Sequence, residues 1–250
     1  MLHAATLAEL RTRVRTIDAP GRSARIAGFG DRRLDHALPW GGLPLGCLHE
    51  VAGIPGDFGA AMGFAAAAAV RIAAATPSAT TILWCARPDA WSERGALYAP
   101  GLSEFGVAPE RLLVVRASTP DGVLWAMEEG LRCPGLVLVV GEVDAVGFTA
   151  SRRLQLAAEA SGVTALLVHP LGAAGASGAV TRWRVASRAS ARSAAPSAPW
   201  HPAWSAELTH CRGGNPSTWN LEWHHAQSHF AVVAGVSDRP AQPQPAQAAG

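Results

Sequence analysis

The chain contains no lysine; all 21 of its cationic residues are arginine. The lysine that grips the outer phosphates in a nucleotide-binding loop is therefore unavailable to it. Cysteine is sparse. Cys47, Cys85, Cys133 and Cys211 are scattered with no C-x-x-C pair, which points to reduced, mostly buried thiols in a cytosolic protein. Long apolar runs are missing too. Residues 1–17 have no signal-peptide core, and nowhere do about 18 apolar residues follow one another, the length a membrane span needs. A soluble, cytoplasmic protein with no membrane partner is expected. Charge of either sign is limited to 16% of residues and nets to +2, too little by itself to argue nucleic-acid binding. Hydrophobic residues are plentiful, at 49% of 250, enough for one main domain with extensions.

The apolar pattern alternates strands with helices. Strands are expected at 47–52, 80–85, 111–116, 136–140, 164–168 and 181–185, and helices at 62–75, 90–98, 120–132 and 151–160. Pro100-Gly101 reads as a break and 102–105 as a further turn. Such alternation predicts an α/β fold with a doubly wound, mainly parallel sheet. Ahead of it, 1–33 reads as an amphipathic helix and linker, with Leu7, Leu10, Val14 and Ile17 on one face. A short helix then a Pro/Gly turn is expected over 34–45, opening a core that runs to 188. Residues 189–236 read as a linker and a Trp-rich β-hairpin outside the main sheet, and 237–250 as a disordered tail.

Strand 47–52, the glycines Gly53, Gly56 and Gly59, and the alanine-rich helix after them have the layout of a phosphate loop. The working side chains are absent. Ala60 and Ala61 stand where lysine and Ser/Thr belong, the glycine spacing is one residue long, and Asp57 adds negative charge where phosphates sit. The strand that ordinarily ends in a Mg²⁺-organising acid meets Gly141, and Glu142 follows one residue late, expected on the opposite face. Strand 80–85 runs into Ala86-Arg87-Pro88, with no acid to activate water. No catalytic residue, no metal and no cofactor, ATP included, is expected.

Other candidates are binding groups. No acidic residue lies between Glu159 and Glu207, whereas Arg182, Arg184, Arg188 and Arg192 do. They read either as a solvated edge or as a phosphate-tracking strip for single-stranded DNA. Trp204, Trp219, Leu221 and Trp223 read either as hairpin core or as an exposed anchor for a partner protein. His224, His225 and His229 lack a further ligand at metal spacing, and Gly175–Ala179 falls a glycine short of a nucleophile elbow. His49-Glu50 does not fit a zinc-helix motif and reads as packing or a supporting hydrogen bond.

The order of segments over 34–188 resembles the RecA-type ATPase core: GGLPLG, CLHEV and the glycine loop, then LYAPGLSEFGVAPERLL, GLVLVVGEVDAV, TALLVHP and AVTRWRV. Within that superfamily the chain is most similar to the ImuA family, on GGLPLGCLHE, LYAPGLSEFGV, VVGEV, TRWRV and above all the late ELTHCRGGNPSTWNLEW. The resemblance implies a regulator or adaptor in SOS-induced error-prone translesion synthesis. Its implied partners are an ImuB-like inactive polymerase homologue and an error-prone C-family polymerase, with RecA and DNA as further ones. Nucleoid association during DNA damage is implied as well. Residues 170–179 match in position the second DNA-contacting loop of RecA, but their Gly/Ala content leaves no obvious side chain for base or phosphate. A divergent RecA-type ATPase is the remaining alternative.

Overall fold

A computed structural model describes residues 25–76, 81–88, 95–170, 175–190 and 201–233. The expected N-terminal helix, Arg192, the tail and residues 90–94 of the helix expected over 90–98 fall outside the described residues; residues 95–98 are not helical, and the helix begins at Ala99. A two-stranded ribbon, β1 (Ile26–Ala27) with β2 (Leu43–Pro44), encloses the short helix α1 (Arg32–Asp35). The helix expected over 34–45 is thus only one turn, placed earlier, because Pro39, Gly41 and Gly42 turn the chain back.

The main sheet begins with β3 (Leu48–Gly53), followed by α2 (Phe58–Ala74). Then come β4 (Thr81–Ala86), α3 (Ala99–Phe105), β5 (Leu112–Arg116), α4 (Pro120–Leu131), β6 (Leu136–Glu142), α5 (Phe148–Ser161), β7 (Thr164–His169) and β8 (Thr181–Ser187). The last three strands are β9 (Ala203–Cys211), β10 (Ser217–His224) and β11 (His229–Val232). Nine strands form one sheet in the order β11-β10-β9-β8-β3-β7-β6-β4-β5. From β5 to β8 it is parallel, as the doubly wound reading requires; β9, β10 and β11 are antiparallel. The architecture is α/β, consistent with a RecA-like fold.

Two sequence expectations are corrected. The break at Pro100-Gly101 is inside a helix: Pro100 occupies the first turn of α3, where a missing N–H costs nothing. The Trp-rich hairpin is not a separate extension. β9 pairs with β8 from Thr181↔Cys211 to Ser187↔Trp204, so β8 lies inside the sheet and the hairpin continues it.

α2 covers one face of the sheet, and α4 and α5 the other. Ala65–Ala69 of α2 are all buried. Alanine favours the helix and its single methyl lets the helix lie close to the strands. Over the antiparallel strands that face is filled by aromatic rings: Phe29, Phe64, Trp183, Trp204, Trp223 and Phe230 form one cluster with centroids 5.2–6.5 Å apart. Trp219, Leu221 and Trp223 do alternate onto one face, and that face is the core.

Candidate functional site

The glycine loop joins the C-terminal end of β3 to the N-terminus of α2, beside the ends of β7 and β8. In open α/β sheets ligands bind at such carboxyl ends. Gly53 lies against the loop's own backbone; a Cβ there would sit 2.8 Å from the Asp57 carbonyl oxygen. Gly56 takes φ +80°, which glycine adopts without strain. Both glycines are thus required by the turn itself.

The Asp57 side chain ties the loop to a neighbouring strand. Asp57 is the N-cap of α2, yet its carboxylate caps no amide of its own helix. It accepts instead from the Ser187 amide at 2.6 Å and the Ser187 hydroxyl at 2.7 Å, at the end of β8. A helix N-terminus favours an anion, and here the anion is a side chain already tied to a neighbouring strand. Ala60 and Ala61 are buried and offer neither cation nor hydroxyl.

The acid after β6 requires a correction. Glu142, not Gly141, is on the α2 face, alongside Leu138 and Val140. Gly141 faces α4, where a Cβ would collide with the Met127 sulfur. Glu142 is buried, and the Trp84 indole N–H donates to its Oε1 at 2.6 Å. Residue 141 fits as glycine because α4 leaves it no room.

Beside the loop opens an apolar cavity of about 810 Å³ between α2, α3 and the start of β9; Phe58, Met62, Leu102, Phe105 and Trp204 are among its walls. A smaller polar cavity of about 270 Å³ lies on the other face, where Glu50, His169, Arg182, Arg184, Thr209 and His210 meet. Sequence reading treated Glu50 as support and missed His169, since neither belongs to a motif. Glu50 is buried; it pairs with Arg182 Nε at 2.9 Å and accepts from the Ser177 hydroxyl. His169 donates from Nδ1 to the Val143 carbonyl at 3.1 Å, leaving Nε2 a buried lone pair without a protein donor. Burial lowers its pKa and keeps it neutral.

Three arginines of the phosphate-tracking reading are engaged within the protein. Arg182 is neutralised by Glu50, Arg184 binds Glu207 through Nε at 2.9 Å, and Arg188 donates to the Asn220 side chain. The acids arrive from β3 and β9, distant in sequence. The exposed-anchor reading of the aromatic strands fares likewise: Trp204, Leu221 and Trp223 are buried, and Trp219 is half-buried against Trp183 at 5.9 Å.

His49 is a core histidine, held by Thr181 Oγ1 at 2.8 Å and the Pro44 carbonyl at 2.9 Å, and burial pushes its pKa down to about 4. Burial raises Cys47 and Cys211 to about 11 and Cys85 to about 12, as expected of inert thiols; Cys133 is exposed. His201, His224 and His229 stack ring on ring, at 4.4 and 5.1 Å, and among the described residues no group of three ligands could hold a metal ion. No helix among them is long and apolar enough to cross a membrane.

No family model matches the chain. Two curated relatives do: Protein ImuA of Caulobacter vibrioides strain NA1000 / CB15N, and Protein ImuA of strain ATCC 19089 / CIP 103742 / CB 15. Each is 34% identical over 235 residues, covering 85% of this chain and 91% of the relative.

Proposed function

This chain belongs to the ImuA family, and from that membership we propose that it is a non-catalytic, RecA-like adaptor in SOS-induced error-prone translesion synthesis. It acts by binding an ImuB-like inactive polymerase homologue and, through it, an error-prone C-family polymerase. No nucleotide chemistry is assigned to it; a RecA-like sheet serves as a scaffold, since a fold does not by itself carry an activity.

Asp57 supports this reading most. Its carboxylate lies at the N-terminus of α2 and is bonded to Ser187, while residues 60 and 61 are buried alanines. A triphosphate entering the loop would meet the like charge of Asp57 and, at residues 60 and 61, neither cation nor hydroxyl. One observation favours the second reading, a divergent ATPase: Glu142 presents a carboxylate on the loop's own face. That carboxylate is already engaged by Trp84. The paired states of Arg182, Arg184 and Arg188 give the DNA-binding reading no comparable support.

Affinity capture of the ImuB-like protein from DNA-damaged cells, with Mg-ATP present or absent, tests the proposal. Capture should be indifferent to Mg-ATP. A requirement for the nucleotide, or micromolar Mg-ATP binding by calorimetry, overturns it.

A further inference from the structure

His169 closes β7 and is wholly inaccessible. Its ring is held in one tautomer. The Val143 carbonyl can only accept, so Nδ1 carries the proton and Nε2 presents a lone pair. No protein donor reaches that lone pair. A buried polar group left unpaired is costly, and native proteins pair such groups with protein or with ordered water.

The polar cavity of about 270 Å³ is lined by His169 and by Glu50, itself only 2% exposed. The two stand on adjacent strands. β3 pairs with β7 in the register Glu50↔Leu167 and Ala52↔His169, so Glu50 and His169 are diagonal neighbours on one face of the sheet. They do not bond to each other, and cannot while the imidazole is neutral, because both offer lone pairs. Burial lowers the His169 pKa, and the Glu50 charge acts through space against that fall. Two acceptors that share a cavity call for a molecule with two donors between them. A cation is disfavoured there, since Arg182 and Arg184 line the same cavity. Water meets each requirement: it is neutral, it donates twice, and its oxygen accepts from a third group. Its share of the liquid is about 30 Å³, well within the space.

We propose that this cavity is a structural water site, in which one ordered water donates to His169 Nε2 and to the Glu50 carboxylate and so joins the end of β7 to β3. The site has a mechanical consequence. Glu50 also grips the segment that leads into β8: it accepts from the Ser177 hydroxyl, and its partner Arg182 donates to the Gly175 carbonyl at 2.9 Å. From α5, Ser151 Oγ accepts from the Gly178 amide at 3.0 Å. The water thus belongs to the network that fixes residues 175–178 against the sheet, and it keeps the Glu50 carboxylate fully bonded while it does so.

Long-range ¹H–¹⁵N NMR of the full chain at neutral pH tests this without any substitution. For His169, Nδ1 should be protonated, and Nε2 unprotonated but moved upfield by an accepted hydrogen bond. Its ring protons should show a cross-peak to a long-lived water. An imidazolium pattern, the opposite tautomer, or a ring with no bound-water contact overturns the proposal. His169→Phe keeps a ring and removes the acceptor. Amide hydrogen exchange at residues 177–179 should then quicken several-fold, with exchange in α2 unchanged. An unchanged rate at 177–179 in a folded variant overturns the link to that segment; should the variant fold poorly, the wild-type spectrum decides by itself.

Discussion

At the scale of single residues, the loop turns on Asp57. Its carboxylate is half-exposed and receives two hydrogen bonds from Ser187, so it fastens the loop to β8 across 130 residues of sequence. Hydrogen bonds to a charged acceptor contribute somewhat more than neutral ones, discounted here for solvent. Asp57→Ala should therefore lower stability by about 1–2 kcal/mol in urea unfolding, and Asp57→Asn, which keeps an acceptor, by less. An unchanged midpoint for Asp57→Ala would mean that the tie contributes nothing. The same scale explains the arginines. Arg182, Arg184 and Arg188, which look unopposed in the sequence, each meet a group from another strand, and only Glu50 among those groups is nearly inaccessible.

At the scale of elements, the antiparallel strands β9 to β11 hold the aromatic half of the core. Trp223 is fully buried among Phe105 and Phe230, and Trp204 stacks on Phe105 at 6.4 Å. Truncating a buried tryptophan costs about 3–5 kcal/mol through lost transfer energy and the cavity left behind. Trp223→Ala should lower the unfolding midpoint on that scale, with Trp223→Phe recovering much of it and half-buried Trp219→Ala costing less. Wild-type stability for Trp223→Ala would remove this strand group from the core. Alanine plays the opposite part in α2, where small side chains keep the helix close to the sheet it covers.

At the scale of the whole molecule, two buried imidazoles make stability depend on pH. His49 and His169 both have lowered pKa values, with burial as the leading cause. A histidine that is harder to protonate folded than unfolded contributes its full stability above its unfolded pKa, and loses it as pH falls toward the folded value. For His49 that window runs from 6.5 down to about 4. Between neutral pH and about pH 5, His49 alone should cost roughly 2 kcal/mol. Denaturant unfolding should show the decline, and His49→Gln should flatten it. A profile equally flat in the wild type would contradict the assignment.

The alternation of strand and helix, the glycine loop and its missing lysine and hydroxyl were all legible in the chain, because each is written in neighbouring residues. The family segments were legible for the same reason. Which strand pairs with which was not. Trp204 and Trp223 looked peripheral until β9 joined β8, a contact that no local pattern announces. The acid of β6 was assigned to the wrong face because side chains alternate with period two, so one residue of offset inverts the answer; only the packing of α4 against Gly141 fixed the phase. Local propensity, in short, determined what each segment is. Tertiary packing decided what each faces, since burial and charge pairing are properties of partners that lie far apart in sequence.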